Sequence, residues 1–170
     1  MDATPVQNEE SMIDPRRLRD VLGCFATGVA VMTTLGDGGA PVGLVVNSFS
    51  SVSLEPPQIL WSLALSAPSR GAFMTHPGFA VNIMPAEAKD LTMQFARPSD
   101  DKFGGIDWRP GCYGVPVLGA ALATLECRTE RRIESGDHEI FIGHVLQLDQ
   151  TDGSPLIFHR GQFADLGQAI

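Results

Sequence analysis

Leu18, Val21, Leu22 and Phe25 recur at three- and four-residue intervals, the spacing that gathers side chains on one face of a helix. Asp14 stands where an N-cap belongs, and Pro15 occupies the first helical position, where its missing N–H costs nothing. The pattern predicts a helix opening at Pro15, with Gly28 either ending it or starting the next strand. Beyond this point the rhythm becomes that of a β protein. Residues 28–35 (GVAVMTTL) form a short β-branched run, and Gly36-Asp37-Gly38-Gly39 reads as a turn. Residues 41–54 (PVGLVVNSFSSVSL) follow and stop at Glu55-Pro56-Pro57. Residues 58–65 (QILWSLAL) are nearly apolar throughout, which predicts a strand buried on both faces. A short helix is expected over 69–75, a strand over 79–84, and a second helix over 86–96 with Ala88, Leu91 and Phe95 turned inward. Two long strands, 117–134 and 138–150, are joined by a hairpin at Ser135-Gly136-Asp137, and residues 155–159 (PLIFH) close the sheet.

Many strands at short spacing with two or three helices predict a mainly β fold, a closed or split β-barrel rather than a parallel α/β sheet. Residues 1–13 read as a polar lead-in and 14–170 as a single domain. Residues 97–116 are rich in Gly, Pro, Asp and aromatics and have no periodicity. A stretch of that length in a small domain is usually functional or covers something.

Composition narrows the function classes. The 170 residues are 44% hydrophobic, which suits a core and excludes a disordered tail. A formal net charge of −8 and a pI near 4.8 oppose binding to a phosphate backbone, so no nucleic-acid partner is expected. Arg128, Arg131 and Arg132 alternate with Glu126, Glu130 and Glu134 and read as a solvated strand face. The N-terminus has no apolar run behind positive charge, and the stretch 59–65 is too short to cross a membrane, so the expected compartment is the cytoplasm. Cys24, Cys112 and Cys127 are odd in number and widely spaced; each is expected to be a small buried apolar residue. His76, His138, His144 and His159 lie far apart, although His138 and His144 share one face of a strand; no metal is expected. Glycine-rich dinucleotide, phosphate-loop, serine-elbow and zinc-helix motifs are all absent.

Three segments carry candidate chemistry. The small polar run from Val46 to Ser53 leaves main-chain groups for a planar ligand, or else marks a strand edge in which Ser and Asn satisfy their own backbone. The segment from Ser62 to Arg70 is a strand end entering a helix. Ser66, Ser69 and Arg70 there make an anion-binding corner, or the serines simply cap the helix. The third, Gly136 to Gly143, places His138 at a hairpin mouth.

Together these blocks resemble the short-chain flavin reductase family, the reductase components of two-component flavin monooxygenases. The likeness runs from about Asp14 to Phe163, through DPRRLRDVLGCFATGVAVMTT, GLVVNSFSSVSLEPPQILWSLA, FAVNIM, QFARPSDDKFGGIDWRPG, SGDHEIFIGHV and PLIFHRGQF. It implies an FMN-binding split β-barrel of Greek-key topology, a homodimer, FMN or FAD as flavin, NADH or NADPH as hydride donor, and an oxygenase component receiving reduced flavin. Carried over by position, Val46, Asn47, Ser48 and Ser51 line the isoalloxazine and ribityl chain, and Ser62, Leu63 and Ala64 contribute main-chain contacts. Ser66 and Ser69 reach the phosphate, His138 lies beside the nicotinamide or flavin as the catalytic residue, and Phe95, Phe103 and Phe163 border the pocket. Val45 replaces a Thr of many relatives, and Phe163 replaces a Tyr. The competing expectations are a flavin-binding protein without catalysis or with another electron donor, and a β-barrel interaction module.

Overall fold

In the computed structural model, which describes residues 13–167, the first apolar stripe forms helix α1 (Pro15–Leu22), capped by Asp14 accepting the Arg16 N–H at 3.0 Å. The lead-in expected over 1–13 lies, Ile13 apart, outside the described residues. The helix stops at Leu22, so Phe25 falls beyond it, and Gly28 belongs to strand β1 (Thr27–Gly28). The stripe is amphipathic but uncovered: Leu18, Val21, Leu22 and Phe25 are all exposed in the isolated chain.

β2 (Ala30–Leu35) and β3 (Pro41–Val46) pair as a hairpin. Its turn places Gly38 at φ 67° and Gly39 at φ 80°, a region that other residues enter at a cost. β4 (Ser50–Leu54), β5 (Pro57–Ala64), helix α2 (Arg70–Thr75), β6 (Gly78–Ile83) and helix α3 (Lys89–Ala96) follow. Then come β7 (Trp108–Pro110), β8 (Pro116–Leu118), β9 (Ala123–Ser135), β10 (His138–Gln150), β11 (Ile157–His159) and β12 (Gln162–Ala164).

Seven strands make one antiparallel sheet in the order β3-β2-β6-β9-β10-β5-β4. Its two edge strands are halves of one sequence run, joined only by Asn47, Ser48 and Phe49. A flat sheet of this width would hold them about 29 Å apart, whereas three residues span about 10 Å. The sheet therefore curls, bringing its two edge strands towards each other at this connection. The edges do not pair as a ladder; the connection between them is tied to β5 by Ser48, whose Oγ accepts the Ser62 N–H at 3.0 Å and donates to the Ser62 carbonyl at 3.1 Å.

Alternate residues of β2 feed two cores. Ala30 and Met32 join the interior, with Trp61, Phe73, Phe79 and Phe141; the Trp61 and Phe141 rings stack at 4.7 Å. Val29, just before β2, and Val31 face outward under Phe95, Phe103, Leu118 and Leu156. Asn82, fully buried on β6, ties β8 to this outer face: its amide donates to the Val31 carbonyl at 2.9 Å and accepts the Leu118 N–H at 2.8 Å. Thr33 completes the link by donating to the Pro116 carbonyl.

Several expectations need correction. β5 is not buried on both faces: Ile59, Trp61 and Leu63 are buried, while the alternate positions are half-buried. Residues 117–134 are not one strand, because β8 ends at Leu118 and β9 begins at Ala123. PLIFH does not close the main sheet; Ile157–His159 forms a separate three-stranded sheet with β1 and β12. Glu126 is not on a solvated face but 1% exposed, and Cys24 is exposed rather than buried.

Candidate functional site

The curl leaves β3 paired with β2 on one side only, and its unpaired edge forms the wall of an open cleft of about 970 Å³. Residues 41–47 line one side; Ala67, Pro68 and Ser69, the end of α3 with the loop after it, and Phe158, Gly161 and Phe163 line the rest. A smaller cleft of about 240 Å³ adjoins it, sharing Leu44 to Asn47 and Ala67, and is completed by Ser48, Ser62, Leu63, Ala64 and His138.

Ten of the sequence-derived residues thus face one continuous depression: Val46, Asn47, Ser48, Ser62, Leu63, Ala64, Ser69, Phe95, Phe163 and His138. Three do not. Ser51 lies exposed on β4 opposite Ile59, and Ser66 is exposed outside both clefts. Phe103 is buried behind the wall, edge-on to Phe95 with ring centroids 5.0 Å apart. Arg70 does not serve the anion corner either: its guanidinium is 3.0 Å from the carboxylate of Glu139, a buried residue of β10. Ser69 makes no helix-capping bond, so its hydroxyl is not consumed by the bland role open to it.

The β3–β4 connection supplies donors. Among the described residues, the N–H groups of Asn47, Ser48 and Phe49 lie outside the ladders and donate to no other group of the chain. A cleft of this volume, apolar along β3 and Phe163 and edged with main-chain donors, has the character of a small-molecule site, which typically encloses about 300–1,000 Å³.

His138 opens β10 opposite Ala64, and its Nδ1 lies 2.6 Å from the Asp137 carboxylate. That bond fixes the ring and leaves Nε2 as the free nitrogen. The hydrogen bond and the charge of His138 hold the Asp137 carboxyl below its ordinary value. His144 shares the strand face but sits six residues away, about 20 Å along the strand, too far for a common ligand.

Two residues escaped the sequence reading. Lys102, in the aperiodic loop, lines the larger cleft, and its Nζ donates to the Phe95 carbonyl at 2.8 Å. The signal available was a lone lysine among Asp, Gly and Phe, in a stretch already expected to cover something. Gly43 escaped too: it lets Phe95 lie directly against β3, since a Cβ there would stand 2.7 Å from the ring.

Residues 22–167 match the family described as Flavin reductase like domain. A probable flavin reductase of Rhizobium meliloti (strain 1021) is 41% identical over 152 residues, covering 89% of this chain and 49% of that protein. The chain therefore spans about half that relative's length. The reductase subunit HsaB of a flavin-dependent monooxygenase from Rhodococcus jostii (strain RHA1) is 39% identical over 155 residues, 91% of this chain and 79% of the other. Among solved structures, the NADH:FAD oxidoreductase SgcE6 of Streptomyces globisporus C-1027, in complex with NAD and FAD fragments, superposes with a TM-score of 0.83 at 36% identity. That match covers 91% of this chain and 95% of that one.

Proposed function

The chain belongs to the flavin reductase-like domain family, and on that premise we propose that it is an NAD(P)H:flavin oxidoreductase working at the cleft along β3. The observation that carries the reading is the continuity of that cleft, from the unpaired β3 edge through Asn47 and Ser48 to His138. FMN or FAD is the flavin, NADH or NADPH the donor, and reduced flavin passes to a partner oxygenase. The similarity to a monooxygenase reductase subunit supports the last step.

Bound flavin supplies the hydride acceptor and the nicotinamide the hydride, so the protein has no difficult bond to break itself. What its residues do is hold two flat rings together and settle the charge that develops. The apolar wall of Val45, Val46 and Phe163 excludes water from one side of the cleft. The amides of Asn47 and Ser48, which line the clefts, present fixed donors to negative charge and need no reorganisation during the reaction. Their rigidity comes from the Ser48–Ser62 bridge, which uses the Ser48 hydroxyl structurally and leaves the neighbouring amides free. His138, held by Asp137, positions the nicotinamide from the smaller cleft. Phe163, without a hydroxyl, donates no proton.

The finer architectural reading is a split barrel of Greek-key topology, supported by the curled sheet with its unladdered edges. The assembly is proposed as a homodimer, for which the uncovered face of Leu18, Val21 and Leu22 offers apolar surface; sedimentation of a monomer at micromolar concentration would refute it. The compartment is proposed as the cytoplasm, and no helix among the described residues is long and apolar enough to cross a membrane. Steady-state oxidation of NADH and NADPH with FMN, FAD and riboflavin tests the activity. Flavin uptake without nicotinamide consumption favours a binding protein or another donor; no uptake at all favours an interaction module.

A further inference from the structure

Two arginines near the clefts and the outer core are already neutralised: Arg70 by Glu139 at 3.0 Å and Arg109 by Glu126 at 2.9 Å. Lys102 is different. It is half-buried, and among the described residues it is the only Lys or Arg lining either cleft. Among the described residues no carboxylate forms an ion pair with it. Its Nζ donates to the Phe95 carbonyl at 2.8 Å and lies 3.5 Å from the Gly43 carbonyl. An ammonium has three N–H bonds, so one remains for a further partner. The two carbonyls aim the group, one from the last turn of α3 and the other from the middle of β3. Burial disfavours the charged form and draws the Lys102 amine below the ordinary lysine range, an expense that an anion in the cleft would offset. Asp100 lines the same cleft but is exposed, where solvent and salt screen it. Ser69, its hydroxyl free of any capping bond, adds a neutral donor to the same space.

We propose that Lys102 is the anion-recognising residue of the cleft and holds a phosphate group of the nucleotide bound there. This rests on the flavin-binding reading and adds a residue to the phosphate contacts expected of Ser66 and Ser69. The phosphate belongs either to the flavin nucleotide or to the nicotinamide dinucleotide. Both present the same dianionic or diphosphate oxygens, and the experiment separates them.

The test compares the unaltered protein with Lys102→Met, which keeps the length and apolar stem, and with Lys102→Arg. Each is titrated with FMN and with riboflavin, which lacks the phosphate, by flavin fluorescence, and the KM for NADH is measured. Loss of one charge-assisted hydrogen bond predicts an FMN Kd about tenfold higher in Lys102→Met, riboflavin binding within about twofold, and recovery of most FMN affinity in Lys102→Arg. A rise confined to the KM for NADH also supports the proposal and assigns the phosphate to the nicotinamide dinucleotide. Equal weakening of FMN and riboflavin would mean that Lys102 only tethers its loop to α3, and would overturn the proposal. So would no change in any of the three values. If the unaltered protein binds neither flavin, the flavin reading itself fails, a result distinct from either of those.

Discussion

Replacing Gly43 by alanine tests how tightly the cleft wall is fitted to the helix behind it. A Cβ at Gly43 would stand 2.7 Å from Phe95 Cε1, 2.8 Å from Phe95 Cδ1 and 3.4 Å from Phe103 Cζ. Phe95 is 1% exposed and braced edge-on by Phe103, so its ring has no solvent to swing into. Gly43 is not among the positive-φ glycines, and alanine therefore fits the backbone there. By limiting the unfolded chain, alanine contributes about 0.4–1 kcal/mol of stability. Against this, forcing a methyl into a packed contact costs about 1–3 kcal/mol. The overlap wins, and Gly43→Ala should lose about 1–2 kcal/mol, with Tm falling by about 2–8 °C. Urea denaturation of the single variants and of Gly43→Ala/Phe95→Leu makes the test specific. The Gly43→Ala loss should shrink by at least about 1 kcal/mol in the Phe95→Leu background. A Gly43→Ala variant as stable as the unaltered protein, or an undiminished loss in the double variant, refutes the reasoning.

Glu126→Gln should cost about 2–3 kcal/mol at neutral pH, because it breaks a buried carboxylate's pairing with a half-exposed arginine. Burial opposes ionisation of Glu126, but the Cys112 N–H at 2.6 Å and Arg109 outweigh it and hold the carboxyl below its usual 4.5. A depressed folded value stabilises above the unfolded one, so denaturation midpoints of the two proteins should converge as pH falls below about 4.5; a constant gap contradicts this. His138→Ala should lower turnover about tenfold, short of the 10²–10⁴ typical of a proton-transfer catalyst, with flavin affinity kept within about twofold; complete loss of turnover rules out a positioning role. Burial, foremost, pushes the Cys127 thiol up to about 12, whereas Cys24 is exposed. Alkylation followed by mass spectrometry should therefore mark Cys24 in the folded protein and Cys127 only on unfolding, and equal rates would contradict it.

Local periodicity carried most of the secondary structure, since α1, β2, β6, α3 and the Ser135–His138 hairpin each announce themselves in a few residues. The sheet's curl was not legible. PVGLVVNSFSSVSL reads as one strand, and nothing local says that its halves pair with β2 and β5 at opposite edges. Charges misled for a related reason. Glu126 alternates with arginines like a surface residue, yet it pairs with Arg109 of β7, a strand outside its own sheet. Likewise Arg70 looked available until Glu139, 69 positions later, claimed it. Of the candidate site, the segments around Asn47, Ser62 and His138 were found by residue type and by family resemblance. Their convergence, and the parts of Lys102 and Gly43, depend on contacts that only the folded chain makes.

The account stands on a planar heterocycle binding along the unpaired edge of β3. A crystal structure with FMN tests this most directly. The expected result is flavin density in the cleft bounded by Val46, Asn47, Ser69 and Phe163. Density at any other surface, or side chains filling that cleft while FMN binds elsewhere, would contradict it.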